Sequence, residues 1–159
     1  MPLNIYFSCS ITGGRKDQQD YQAIVDALVS EGHSVPTAHL SSPEVMALEA
    51  VVDPVEVFTR DIEWIDACEA VVAEVSTPSH GVGYEIAYAL GRGKPVLCCY
   101  RQEVRVSKMI TGNTHPLLRL RSYQSAAEAV QLVCEFLLDI SKRRQTTLDT
   151  NVNKITWNQ

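Results

Sequence analysis

Apolar positions along the chain switch repeatedly between a strand-like and a helix-like spacing. Leu3 to Cys9 reads as a short strand, and Ser10-Ile11-Thr12-Gly13-Gly14 after it is turn-forming. From Arg15 to Ser30 the apolar residues Tyr21, Ile24, Val25, Leu28 and Val29 recur at helical spacing, and Gly32 is a natural stop. Ser34 to Leu40 predicts a second strand, although Pro36 assigns it an edge position or a break. Ser41-Ser42-Pro43-Glu44 opens a weak helix reaching Val52, and Asp53-Pro54 opens a stronger one that carries Val57, Phe58, Asp61, Ile62, Trp64 and Ile65. Glu69 to Val75 is β-branched and predicts a central strand. A turn-rich loop over Ser76–Gly83 leads into a helix from about Tyr84 to Arg92, broken by Gly93-Lys94-Pro95. Val96 to Tyr100 predicts another buried strand, Leu117 to Tyr123 a last strand, and Ser125 to Ile140 a last helix.

This β-α-β-α repetition predicts an α/β fold: a doubly wound, Rossmann- or flavodoxin-like parallel sheet of about five strands with flanking helices. Ligands are then expected at the carboxyl ends of the strands. The folded domain is expected to span 1–140. Residues 141–159 show no sustained period and read as a solvated helix end and flexible tail, and the three-residue basic cluster Lys142-Arg143-Arg144 is too short for a targeting or nucleic-acid patch.

Composition narrows the function classes. The 159 residues suffice for one hydrophobic core, and 45% apolar with 21% charged residues is ordinary for a globular protein. A net charge of −5 argues against a nucleic-acid polymer as partner, which needs a concentrated basic face, but leaves a single anionic nucleotide possible. The five cysteines (Cys9, Cys68, Cys98, Cys99, Cys134) form no C-x-x-C pair and read as buried free thiols in a reducing compartment, with Cys98 and Cys99 facing opposite sides of a strand. The four histidines make no metal-ligand spacing, so no metal and no cofactor is expected. The absence of a signal-like N-terminus or a long apolar run leads to the expectation of a cytoplasmic protein, with a nuclear location as the alternative, and without membrane association.

Two loops carry candidate chemistry. Ser8 to Arg15 pairs Gly13 and Gly14 between a strand and a helix, which lets backbone N–H groups approach an anion; a tight turn is the plain alternative. Ser79-His80-Gly81-Val82-Gly83-Tyr84-Glu85 follows the buried strand and makes a compact anion-binding turn at a helix N-terminus. Glu85 then falls in the first turns of that helix, where the dipole is expected to keep it ionised, as a nucleophile requires; an ordinary helix-stabilising glutamate is the alternative. On the preceding helix, Asp61 lies one turn before Trp64, and an acid beside a large apolar ring has a raised pKa and can donate a proton; solvated surface charge is the alternative for Arg60, Asp61 and Glu63.

Tyr6-Phe7-Ser8-Cys9-Ser10-Ile11-Thr12-Gly13-Gly14-Arg15, Asp61-Ile62-Glu63-Trp64, Val72-Ala73-Glu74-Val75, Pro78-Ser79-His80-Gly81-Val82-Gly83-Tyr84-Glu85 and Ser107-Lys108-Met109-Ile110 resemble the 2′-deoxynucleoside 5′-phosphate N-hydrolases, close relatives of the nucleoside 2-deoxyribosyltransferases, in order from about Asn4 to Ile140. The resemblance implies an enzyme that hydrolyses the N-glycosidic bond of deoxynucleoside 5′-monophosphates. Glu85 would be the nucleophile attacking C1′, Asp61 the residue assisting departure of the base and activation of water, and Tyr6 a tyrosine that positions nucleophile and sugar. It implies that Ser10, Ile11, Gly13, Ser79 and Gly81 cradle the nucleotide, that His39 and Met109 lie near the base, and that Ser107 reaches the phosphate from the neighbouring subunit of a homodimer. Serine at position 79 favours a phosphorylated substrate, because the transferases of free nucleosides resemble one another in an aspartate six residues before the nucleophile. Thr12 departs from the pattern, standing where these hydrolases often carry arginine; Arg15 is a candidate substitute. A deoxyribosyltransferase, a non-catalytic nucleotide sensor and a ribonucleotide hydrolase remain as alternative readings.

Overall fold

A computed structural model describes the backbone of residues 1–156 and the side chains of residues 1–146. Four strands, β1 (Ile5–Ser8), β2 (Ala70–Glu74), β3 (Val96–Arg101) and β4 (Leu118–Tyr123), form one wholly parallel sheet in the order β1-β2-β3-β4. Helices α1 (Gln18–Ser30) and α6 (Ala126–Thr156) cover one face. The opposite face is covered by α3 (Pro54–Ala67) and α4 (His80–Gly91), while the short helices α2 (Val45–Glu49) and α5 (Lys108–Thr111) lie in connections.

The sheet has four strands, not about five. The expected second strand is reduced to a single parallel bridge between Ser34 and Asn4, after which the chain turns into a 3-10 helix over Ala38–Ser41. Pro36 supplies no N–H for a ladder, so pairing beside β1 stops almost where it starts. The bridge still marks the topology: the chain leaves β1 towards Ser34 on one side and returns as β2 on the other, so the switch point lies between the carboxyl ends of β1 and β2.

Alternation along the strands sorts the core into two layers. Ile5, Phe7, Val72, Leu97 and Cys99 face α1 and α6, whereas Tyr6, Val71, Ala73, Val96 and Cys98 face α3 and α4. Cys98 and Cys99 therefore point to opposite faces as expected, and all five cysteines are free thiols. Burying each large side chain such as Phe7 or Ile24 contributes roughly 1.5–3 kcal/mol, which anchors the frame on which the loops sit.

Two helices differ from the sequence pattern in ways that matter below. α4 begins at His80, four residues before the expected start, because Ser79 adopts an extended backbone and its Oγ accepts the Val82 N–H at 3.4 Å. α6 continues past Ile140, where the apolar stripe ends, to Thr156. No glycine or proline interrupts 141–156, and Arg144 pairs with Glu69 at the foot of β2. Loss of the apolar period therefore does not mark the end of the helix.

Candidate active site

The carboxyl ends of β1 and β2 open into a cavity of about 510 Å³ between the first loop, α3 and the start of α4. Its acidic lining consists of Glu49, Asp61 and Glu85, and its apolar wall includes Ile11, Leu40, Val57, Phe58 and Ile62. The size and the mixture of a wide apolar wall with a few convergent polar groups suit a small organic ligand.

Glu85 is partly exposed, and β1 holds both its oxygens. The Tyr6 hydroxyl donates to Oε1 at 2.9 Å, and the Ser8 hydroxyl donates to Oε2 in a short hydrogen bond. Tyr6 and Ser8 are two residues apart on a strand, so they project on one face, towards α4. Burial pushes the Glu85 carboxyl up to about 7, the nearby Asp61 charge adds to the rise, and the two hydroxyls oppose it. This corrects the expectation that the helix dipole keeps Glu85 ionised. With α4 starting at His80, Glu85 lies beyond the first turn, where the dipole has faded, and desolvation dominates. Burial, reinforced by the Glu85 charge, raises the Tyr6 phenol far above its ordinary value, so Tyr6 stays a neutral donor.

Asp61 projects from α3 into the same cavity, on the same side of the sheet as Glu85. Its carboxyl is raised by burial, against a hydrogen bond from Arg60 Nε to Oδ1 at 2.9 Å that lowers it. The direction is the expected one, and the Trp64 ring one turn on is covered by the Arg60 guanidinium, 4.8 Å from its centroid.

Of the remaining expected residues, Ile11, Ser79 and Gly81 line this cavity. Ser10 is fully buried with its hydroxyl unpartnered, and Gly13 packs beside it, against the second loop. A Cβ at Gly13 would stand 2.2 Å from the Pro78 carbonyl oxygen and 2.8 Å from Ser10 Oγ, so glycine here lets the two loops touch. His39 sits beside the cavity wall, with Nε2 3.0 Å from Glu49 Oε1. Ser107 and Met109 do not meet Glu85 within the chain. Ser107 caps α5, and both line a second cavity of about 440 Å³, shared with Ser79 and His80, on the other side of the α4 N-terminus. Arg15 is committed elsewhere: it donates to the carbonyls of Ser10 at 3.1 Å and Ser42 at 2.9 Å, stapling the first loop, while Thr12 lines the cavity.

Sequence reasoning missed Ser8 and Glu49. The period-two relation of Ser8 to Tyr6 was a usable signal; nothing in the weak pattern around Glu49 pointed into a cavity. Below the second loop lies a further unforeseen network, in which buried Glu74 accepts from Ser76 and Tyr123, Asp17 accepts from Thr77 at 2.9 Å, and Arg101 pairs with Asp17 and Asp20 at 3.3 and 2.7 Å. It holds the segment that delivers Ser79. Among the described residues no group of three or more His, Cys, Asp or Glu side chains is arranged to bind a metal.

A protein of Methanosarcina mazei, provisionally named a 2′-deoxynucleoside 5′-phosphate N-hydrolase, is 38% identical over 134 residues, covering 84% of this chain and 83% of its own. The rat 5-hydroxymethyl-dUMP N-hydrolase is 44% identical over 115 residues, 70% of each chain. Among solved structures, a Clostridium botulinum CMP N-glycosidase shares the fold, with a TM-score of 0.63 over 83% of this chain and 98% of its own at 18% identity. Residues 5–133 match the profile of the nucleoside 2-deoxyribosyltransferases, and the chain belongs to that family.

Proposed function

We propose that this protein hydrolyses the N-glycosidic bond of 2′-deoxynucleoside 5′-monophosphates, releasing the free base and 2-deoxyribose 5-phosphate. The observation that carries the reading is the pairing in one cavity of Glu85, held at both oxygens by Tyr6 and Ser8, with Asp61. The rat relative is named for this reaction on a modified deoxynucleotide.

In the first step a Glu85 oxygen attacks C1′, and the bond to the base breaks as Asp61 gives its proton to the departing base. In the second, Asp61 takes a proton from water, the water oxygen bonds to C1′, and the ester to Glu85 breaks. The two hydroxyls on Glu85 trade some nucleophilicity for ionisation, which a half-buried carboxylate otherwise lacks near neutrality. Ser79 and the free N–H groups at the start of α4 suit the 5′-phosphate, and no negative side chain stands at position 79 to repel it. The apolar wall of Leu40, Val57, Phe58 and Ile62 suits the flat base.

Ser107 is held apart from this cavity, on α5. We assign Ser107 to the phosphate of a neighbouring subunit in a homodimer, with the exposed Met109 beside it. Incubation with a panel of nucleosides, deoxynucleotides and ribonucleotides, with released base quantified by chromatography, tests the reading. Base release confined to deoxynucleoside monophosphates is expected. Transfer of deoxyribose to an added free base, or tight binding without release, would reject it.

A further inference from the structure

We propose that Arg60 and Glu49 are positioning residues which together set the proton affinity and the orientation of Asp61, so that base departure is tuned from α2, outside the catalytic pair. The inference rests on the functional reading above for its kinetic consequence, but not for its geometry.

The guanidinium of Arg60 is a three-way clamp. Its Nε donates to Asp61 Oδ1 at 2.9 Å, while Nη1 and Nη2 donate to Glu49 Oε1 and Oε2, both at 3.3 Å. The plane of the clamp rests on the Trp64 ring, and His39 meets the same ring edge-on at 6.1 Å while its Nε2 lies 3.0 Å from Glu49. The side chains of Glu49, Asp61 and Arg60 are only 14%, 16% and 21% exposed. A solvated ion pair of this kind contributes little; a fork-like, mostly buried one fixes geometry as well as charge. It occupies Oδ1 of Asp61 and leaves Oδ2 without a protein partner among the described residues, so one oxygen is reserved for the base or for water.

Charged and titratable groups surround Asp61 from every side. Arg60 stands on its own helix, Glu49 on α2, His39 on the 3-10 helix, Glu85 on α4 and Tyr6 on β1. Burial pushes Asp61 up and Arg60 pulls it down, while Glu49 opposes Arg60. Burial also pushes Glu49 up, but the hydrogen bonds from Arg60 and His39 outweigh it and hold Glu49 ionised. An uncompensated arginine would leave Asp61 too acidic to protonate a leaving base. Its removal would leave a carboxyl too basic to release that proton, and free to rotate. Glu49 takes up part of the arginine's charge and keeps Asp61 between these limits.

Carbon-detected NMR titration of the Asp61 side chain in the full-length protein reads this directly, beside pH profiles of kcat and KM. Glu49→Gln should lower the Asp61 midpoint by roughly half to one pH unit, and Arg60→Gln should raise it by roughly one to two. In the double variant the effect of Glu49 should shrink but keep its sign, because part of it passes through Arg60 and part acts directly on Asp61. The basic limb of kcat should move down with Glu49→Gln, a loss of roughly three- to tenfold on that limb, with KM nearly unchanged. Arg60→Lys restores charge without the fork and should return the midpoint only part of the way; this pair carries the test if Glu49→Gln fails to fold. Shifts of the same sign in the two single variants, or no shift, would overturn the proposal. Opposite shifts in a protein that releases no base would uphold the clamp and reject the functional reading.

Discussion

Removing the Ser8 hydroxyl isolates what keeps the Glu85 carboxylate usable. The Glu85 carboxyl sits at about 7, so near pH 7 roughly half the molecules carry the ionised form. Ser8 donates to one oxygen and Tyr6 to the other, and both act against the burial that drives the value up. A hydrogen bond to a charged group contributes about 1.5–3 kcal/mol, and one pKa unit is about 1.4 kcal/mol. Ser8→Ala should therefore raise the Glu85 value by about one to two units. At pH 7 the ionised fraction would then fall from about half to between roughly one in ten and one in a hundred, with single-turnover base release falling in proportion. The assay is single-turnover release from pH 5 to 10: the fold loss against wild type at the same pH should be largest below about pH 7 and shrink where the carboxyl ionises again. A uniform loss at every pH, or no loss, would refute the assignment of Ser8 as the group that sustains ionisation.

Further consequences follow from the same geometry. A folded-state value above the ordinary 4.5 means that Glu85 favours the fold fully below about pH 4.5 and loses that contribution as pH rises through about 7. Glu85→Gln should accordingly melt higher than the wild type at pH 8, by a margin of about 1–3 kcal/mol, and show no such gain at pH 4.5; thermal melts at both values decide it. Gly13→Ala drives a methyl into the Pro78 carbonyl and should cost about 1–3 kcal/mol in denaturant melts while raising KM through the displaced second loop. Thr12→Arg adds a cation to a cavity near which Arg15 is tied to backbone carbonyls and Arg60 to Asp61 and Glu49. It should lower KM for monophosphates by about tenfold and leave that for nucleosides unchanged.

How much of this was legible in the sequence depends on which residues act locally. The parallel α/β order, the breaks at Gly32 and Gly93, the start of α3 at Asp53-Pro54 and the opposed faces of Cys98 and Cys99 all follow from short-range pattern, and all appear in the structure. The fifth strand failed for a local reason too: Pro36 was visible, but the depth of its effect depended on a 3-10 helix at Ala38–Ser41 that no periodicity announces. The end of α6 was misplaced because amphipathic spacing measures burial, and a helix can outrun its core. The start of α4 was misplaced because Ser79 was treated as part of a ligand turn, though it is also the helix cap. That shift of a turn replaced a dipole argument for Glu85 with a desolvation argument. Spacing alone favours solvated charge for Arg60 and Asp61, the family resemblance singles out Asp61, and only tertiary packing against Glu49 and Trp64 joins the two in a clamp.

The central claim is that Glu85 bonds to C1′ during turnover. Rapid acid quench of the protein with a deoxynucleoside monophosphate, followed by intact mass and peptide mapping, addresses it most directly. A deoxyribose phosphate adduct on the peptide carrying Glu85, absent in Glu85→Ala together with base release, is the predicted result. Undiminished base release by Glu85→Ala, or an adduct on another residue, would contradict it.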